Sequence, residues 1–233
     1  MLSKAGPQFP ALYLLSNITA RVFVRGGAPM VVEYRLGSQG TAAVTLTAVM
    51  KKGEKSFTRR LEPTGGEVRQ VVFTLPEEFG DKPAVATLSV RVGNTSPNDA
   101  APPDFGLFRL GMGEKAVGSM TIERLSFQPG RVRATQREKA AYGFSSRSDF
   151  PKVSVEFRLL GRTLRGEPDS RLANVEQLGG VRRGESVSRQ WDGRNQKGEV
   201  SRGRHQLAVS GWYEEKKGGD WTTALSDERV IVE

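Results

Sequence analysis

The 233-residue sequence has no cysteine and a single histidine, His205. The lack of cysteine excludes a disulfide framework and thiolate chemistry. With a single imidazole, a Ser-His-Asp triad could use only His205, and a metal centre built on several histidines is excluded. The glycine-containing stretch GGVRRGES, 179–186, also lacks the lysine of a phosphate-binding loop. We therefore expect no enzyme activity, no metal, no cofactor and no small-molecule substrate.

Long hydrophobic runs are missing as well. The longest one near the start, FPALYLL at 9–15, is far shorter than the roughly 20 residues that cross a bilayer. It contains a proline and lacks a typical cleavage site, so the sequence does not predict a signal peptide. We expect residues 1–20 to form an extension that precedes the first folded domain.

Acidic residues are outnumbered by basic ones, 26 to 35, which gives a formal net charge of +9. The excess is spread along the chain: residues 1–115 carry 14 basic and 10 acidic residues (+4), and residues 116–233 carry 21 and 16 (+5). The densest basic stretches, 131–139 and 181–189, lack the interleaved aromatic residues on which bases stack. Nucleic acid is therefore not the expected partner, whereas an acidic protein or an anionic membrane surface remains open.

Short segments of alternating polar and apolar residues make up most of the chain. In AVATLSVRV, 84–92, one face carries Ala84, Ala86, Leu88, Val90 and Val92, and the polar residues lie on the other. Many such segments, separated by turn residues, are typical of an all-β protein made of antiparallel sandwiches. A stretch rich in proline and asparagine interrupts them, which predicts two domains, 21–93 and 119–233, joined by a linker at 94–118.

The stretch WDGRNQKG, 191–198, joins a large aromatic residue to a polar turn. The side chains of Asp192 and Asn195 can accept hydrogen bonds from nearby backbone N–H groups, and Gly193 and Gly198 adopt positive φ without steric cost. We therefore expect these four residues to build the turn rather than to bind a ligand.

The residues on either side of this turn are expected to point into a core. Trp191 ends the strand before the turn. Gly203 opens the strand after it, in which His205 lies on the same face as Leu207 and Val209. The pattern favours a structural role for Trp191, Gly203 and His205.

The second half, from about 121 to 233, resembles the immunoglobulin-like domain at the C-terminus of flagellar hook-capping proteins (the FlgD-like domain). That module recurs on many secreted bacterial proteins. The shared pattern is an inward-facing aromatic strand, a Val-x-Val strand ending in Gly-Arg, and a Trp-Asp-Gly-Arg turn followed by a glycine-led strand. Here it reads Tyr142-Gly143-Phe144, Val153-Ser154-Val155, Gly161-Arg162, Trp191-Asp192-Gly193-Arg194, Gly198 and Gly203-Arg204-His205.

The resemblance implies an immunoglobulin-like fold, and it favours a periplasmic or cell-surface location in a bacterium. With the similar strand pattern of the first half, it predicts two tandem immunoglobulin-like antiparallel β-sandwich domains. The sequence departs from the family at Ser201, where proline is usual, and at His205, where tyrosine is usual. The connection at 165–183 is also longer, and the first half lacks the N-terminal region of hook-capping proteins, so hook capping itself is not implied.

Two functions are compatible with these features. The first is a non-catalytic structural or accessory subunit that docks onto protein subunits of a larger assembly through sheet edges and basic loops. The alternative is a carbohydrate- or polyanion-binding module that uses Trp212, Tyr213 and Trp221. For the first function, the expected partner-binding residues are Lys51, Lys52, Lys55, Arg182, Arg183 and Arg189.

Overall fold

The structure, a computed structural model, describes residues 21–51, 53–94, 105–118, 121–162, 168–216 and 218–233. These residues form mainly antiparallel β-sheets with one short helix, α1 (Glu114–Gly118), and two 3₁₀ turns, Glu77–Phe79 and Ala134–Gln136. The predicted all-β architecture is therefore confirmed. The predicted N-terminal extension, 1–20, lies outside the described residues.

The first half supplies six strands in which apolar residues alternate with polar ones. They are β1 (Arg21–Val24), β2 (Pro29–Leu36), β3 (Gly40–Met50), β4 (Gly53–Leu61), β5 (Arg69–Thr74) and β6 (Ala84–Asn94). Four of them form a sheet in the order β1-β6-β3-β4. Along β3 the buried Val44 and Leu46 alternate with the more exposed Thr45 and Thr47, so one face of this sheet covers a core and the other faces solvent.

The second half supplies eight strands. They are β8 (Ile122–Gln128), β9 (Arg131–Val132), β10 (Ala140–Ser146), β11 (Lys152–Arg162), β12 (Pro168–Leu178), β13 (Ser186–Trp191), β14 (Gly203–Trp212) and β15 (Trp221–Val232). β13, β10 and β8 form a three-stranded sheet in that order. The others belong to a larger sheet that extends into the first half.

The two halves are joined by β7 (Phe105–Met112), which hydrogen-bonds to a strand from each of them. On one side β7 pairs with β2, and on the other with β15, so that Met112 lies opposite both Met30 and Trp221. The result is one large sheet in the order β12-β11-β14-β15-β7-β2-β5, with β9 beside β15. We call it the shared sheet.

The two smaller sheets cover opposite faces of the shared sheet. Neighbouring residues of a strand point to opposite faces. In β14, Leu207 and Val209 join the core of the second half, while Ala208 between them joins the core of the first half. Trp221 likewise packs in the first core and Ala224 in the second. The molecule is thus a double sandwich in which the central strands are buried on both faces.

Two predictions about the connections need correction. The segment 94–118 is predicted to be a linker, but Asn94 ends β6 and residues 105–118 form β7 and α1; the apolar side chains of β7 are buried in the shared sheet. The long connection predicted at 165–183 contains β12, which pairs with β11 along most of its length. Residues 95–104 and 163–167 lie outside the described residues.

Candidate functional site

Trp191 is an anchor of the second core. Its side chain is 4% exposed, and its ring stacks on Phe157 with centroids 4.5 Å apart and an interplanar angle of 16°. Its indole Nε1 donates a hydrogen bond to the carbonyl oxygen of Arg194, 2.9 Å away. The polar end of the indole is therefore satisfied by the turn that follows, which leaves no part of this side chain for a ligand.

Asp192 and Asn195 build the turn by accepting hydrogen bonds from its backbone. The N–H of Arg194 donates to Asp192 Oδ1 (3.1 Å), and the N–H groups of Lys197 and Glu199 donate to Asn195 Oδ1 (2.9 and 3.0 Å). The N–H of Gly198 donates to the Asn195 carbonyl oxygen (2.9 Å). Both polar side chains are thus used locally, as in other Asx turns.

Gly193 and Gly203 fit where a side chain would not. Gly193 has a φ of 75°, and a Cβ on it would lie 3.0 Å from Val232 Cγ1 and 3.1 Å from Ala134 Cβ. Gly203 has a φ of 124°, and its Cβ would lie 2.7 Å from Leu159 Cδ1. Both glycines let the chain reverse closely against the core.

His205 is completely buried beneath the turn. Its Nε2 lies 3.0 Å from Ser201 Oγ, and its Nδ1 lies 3.1 Å from the Gly203 carbonyl oxygen. Its ring meets Trp191 edge-on, with centroids 4.8 Å apart. Burial lowers the pKa of His205 to about 4, so the imidazole is neutral at pH 7. His205 therefore contributes to the packing and the hydrogen bonding of the core.

The first predicted basic set lies on the β3–β4 hairpin. Lys51 is exposed in its turn, and Lys52 lies outside the described residues. Lys55 is half-buried because it lies on the same side of β4 as the core residue Phe57. The next residue on that side, Arg59, has its guanidinium 4.7 Å from the Phe57 ring centroid. Cations that point inward on an edge strand hinder pairing with a further strand.

The second predicted basic set is divided by the structure. Arg182 and Arg183 are exposed in the turn before β13. Arg189 on β13 instead forms an ion pair with Glu176 of β12, and the same carboxylate accepts a hydrogen bond from the Tyr142 hydroxyl. Burial and this hydrogen bond raise the pKa of Tyr142 well above its usual value. Arg189 is therefore already engaged within the molecule.

The three aromatic residues proposed as a carbohydrate platform do not form one. Trp221 is buried in the first core, and Trp212 is half-buried against the same core, with Lys152 Nζ 5.0 Å from its ring centroid. Tyr213 packs on the ring of Phe150, with centroids 5.0 Å apart. These rings pack within the protein because the hairpin contributes to both cores, so they do not form a shared surface for stacking on sugars.

A cleft of about 260 Å³ lies between the β14–β15 hairpin and the first half, but its charges compensate one another. Glu214 pairs with Lys216 at 2.7 Å and with Lys115 at 3.7 Å. The hydrogen bond from Lys216 lowers the pKa of Glu214. Asp220 accepts a hydrogen bond from the N–H of Lys115 at 3.3 Å. These charged groups of the cleft are therefore used in contacts within the β14–β15 hairpin and between it and α1.

The solvent face of the four-stranded sheet was not singled out by the sequence. We call it the outer face. It carries rows of serine and threonine on three adjacent strands and the exposed Arg60 and Arg91 on either side of Ala43. The alternation in TLT, 45–47, and in SFTRR, 56–60, indicates that these residues share a face. It does not indicate which residues of different strands become neighbours, because that depends on the register.

Within the described ranges, no group of three or more histidine, cysteine, aspartate or glutamate residues is arranged to hold a metal ion. No helix in that part of the chain has the length and apolarity required to cross a membrane.

No protein-family model and no curated protein sequence matches the chain. Among solved structures, the glycoside hydrolase domain of Endo-D from Streptococcus pneumoniae R6 is similar at 12% identity with a TM-score of 0.32, over 89% of this chain and 30% of that one. Squid arrestin is similar at 8% identity with a TM-score of 0.23, over 91% of each chain. The chain thus spans under a third of the length of the hydrolase domain, and neither similarity assigns a family.

Proposed function

We propose that the protein is a non-catalytic accessory subunit that docks onto an acidic surface of a larger protein assembly through exposed basic turns. The observation that carries this proposal is the turn containing Arg182 and Arg183. Both side chains are exposed there while their backbone is fixed.

Hydrogen bonds from three consecutive backbone N–H groups fix this turn. The Arg182 N–H donates to Glu185 Oε2 (2.9 Å), and the Arg183 N–H donates to Asp149 Oδ1 (3.0 Å). The Gly184 N–H donates to the Ser146 carbonyl oxygen (2.8 Å). A turn that is already ordered loses little conformational entropy when a partner binds. Two cations on such a turn steer and orient an acidic surface.

Among the proposed contact residues, those exposed in turns support the proposal best. Lys51 is exposed in the β3–β4 turn and remains a candidate contact. Lys55 points to the core side of β4, and Arg189 is paired with Glu176. We therefore assign docking to the turns at Lys51 and Arg182–Arg183 and not to the edges of β4 and β13.

The proposal also includes two tandem immunoglobulin-like domains and a place in the bacterial envelope. The fold supports the first part to the extent that each half has its own core and its own small sheet. The envelope location rests on the resemblance of the second half to hook-capping domains and is tested together with the partner.

The proposal is tested by charge reversal in the full chain. A tagged chain is purified from native cell extract with its stoichiometric partner, and the variant Lys51→Glu/Arg182→Glu/Arg183→Glu is compared with it. We expect binding to weaken by about tenfold or more at low salt and to lose most of its salt dependence, because charges at a docking surface act mainly on association.

The control is Lys139→Glu/Arg202→Glu, which reverses two exposed cations elsewhere in the second half. It should leave the complex intact, and the melting temperatures of both variants should match that of the wild type. A complex that survives the triple reversal, or that dissociates equally with the control, would show that docking does not use these turns.

A further inference from the structure

The outer face brings two arginines together across a small residue. Ala43 on β3 is in register with Arg60 on β4 and with Arg91 on β6. Since neighbouring strands lie about 4.8 Å apart, the two arginine Cα atoms are about 10 Å apart. Both side chains are exposed and border a groove of about 360 Å³ that also includes Thr41 and Gly93. Ala43, which lies between the two arginines in the register, contributes only a methyl group to this groove.

In the described part of the chain, these two arginines are not in ion pairs. Among the paired residues of the described strands, Glu54, in register with Val49, places a carboxylate on this face. Arg60 lies six positions further along β4, a distance of about 20 Å along the strand. Like charges on neighbouring strands do not stabilise a sheet, so the stability of the fold does not explain why both positions are arginine.

A ladder of hydroxyl groups continues from the arginines along the same face. Two successive rows cross β6, β3 and β4, and their members are Ser89, Thr45 and Thr58, then Thr87, Thr47 and Ser56. The hydroxyl oxygens are 3.0 Å apart in the pair Thr45–Thr58 and 3.3 Å apart in the pair Thr47–Ser56. A hydroxyl both donates and accepts hydrogen bonds. The ladder therefore suits a ligand that carries hydroxyl groups along its length.

We propose that the outer face binds an anionic polysaccharide. Arg60 and Arg91 hold a carboxylate or sulfate group, for which the planar guanidinium fork is suited, and the hydroxyl ladder binds neighbouring sugar hydroxyls. The proposal goes beyond the docking function and does not depend on it, because it uses a different surface.

The composition of the face favours a polysaccharide over a protein partner. An acidic peptide lying along the ladder would meet cations only at one end. The large apolar residues exposed on this face are Val49 and Val85, and valine is under-represented among the residues that dominate protein interfaces. The ligand chemistry that matches the whole face is a hydroxyl-rich chain that brings a negative group to the arginine end and sugar hydroxyls to the ladder.

Binding is tested by calorimetric titration of the full chain with four polymers. They are alginate, which is carboxylated, dextran sulfate, neutral dextran, and poly-glutamate as an acidic peptide. We expect alginate or dextran sulfate to bind, with the tighter of the two identifying the anionic group, and neutral dextran and poly-glutamate to bind at least tenfold more weakly. Equal or tighter binding of poly-glutamate would overturn the proposal in favour of an acidic protein.

Variants locate the site. Arg60→Gln/Arg91→Gln should weaken binding of the anionic polysaccharide by about tenfold or more, as expected for lost hydrogen bonds between charged groups. Thr45→Val/Thr58→Val should weaken polysaccharide binding at high salt, because salt screens the arginine contacts and leaves the hydroxyl contacts. The matched control is Arg182→Gln/Arg183→Gln, which removes the same charge from another surface and should leave the affinity within about twofold.

The proposal fails if the Arg60/Arg91 variant binds as the wild type does or if the control loses as much affinity. If the glutamine variant does not fold, Arg60→Lys/Arg91→Lys keeps the charge but removes the planar fork, and unchanged affinity in that variant overturns the clamp. The Arg60/Arg91 variant should retain the protein complex that tests the docking function, so the two proposals can fail separately.

Discussion

At the scale of single residues, the second core is organised around Trp191, which stacks on Phe157 and meets His205 edge-on. His205, Leu207 and Val209 are spaced two residues apart and so share a face of the strand, which was enough to predict that the imidazole faces inward. The hydrogen bond from Ser201 could not be predicted, because it depends on how the turn at 192–198 returns the chain beside β14. Ser201 and His205 are also the two positions that depart from the hook-capping pattern, and here they contact each other.

This buried histidine should make stability depend on pH. Burial lowers the pKa of His205 to about 4, compared with about 6.5 in the unfolded chain. Because the unfolded chain binds this proton more tightly, the contribution is complete above about pH 6.5 and is lost as the pH falls through about 4. We expect this group to lower the free energy of unfolding by about 2 kcal/mol between pH 7 and pH 5.

Urea unfolding at the two pH values measures the effect, with His205→Gln as the comparison because glutamine does not titrate. The difference between pH 7 and pH 5 should be smaller in the variant by about that amount. An identical pH dependence in the variant and the wild type would show that His205 is not the titrating group.

At the scale of strands, the sequence was informative where one face of a strand is buried and the other is solvated. β3 and β6 alternate regularly and were predicted for that reason. β7 is buried on both faces over much of its length and reads as a nearly continuous apolar run, so its pairing was missed. β12 was missed because polar residues occur on both of its faces. The arginine pair of the outer face was missed because it is created by the register of three strands.

The cations of β4 are expected to protect an exposed sheet edge from pairing with another molecule. β4 lies at the end of the four-stranded sheet, and Arg59 covers the ring of Phe57 on its core side. Arg59→Val should preserve the fold but increase aggregation several-fold at high protein concentration, because an edge strand with fewer charges and more apolar surface pairs more readily with another molecule. Light scattering over time measures this. Lys139→Val, outside the strands, is the control; equal aggregation of the two variants would contradict a protective role for Arg59.

At the scale of the whole molecule, the shared sheet determines how the two halves behave. Two separate sandwiches on a linker would unfold independently, but here β7 is bonded to both β2 and β15. β14 and β15 contribute side chains to both cores. A change in either core is therefore transmitted to strands that the other core requires. This arrangement suits a rigid part that holds the Arg182–Arg183 turn of the second half and the outer face of the first half in a fixed relation.

The two halves should therefore unfold in a single transition. The tryptophans allow each core to be followed, since Trp191 lies in the second core while Trp212 and Trp221 pack on the first. In Trp191→Phe the remaining fluorescence reports on the first core, and in Trp212→Phe/Trp221→Phe it reports on the second. Within each variant, the fluorescence midpoint in urea should coincide with the midpoint from far-ultraviolet circular dichroism, because strand β7 cannot remain paired when either sandwich is lost. Two separated transitions, with one tryptophan signal changing well before the dichroism of the same variant, would show that the shared sheet does not couple the halves.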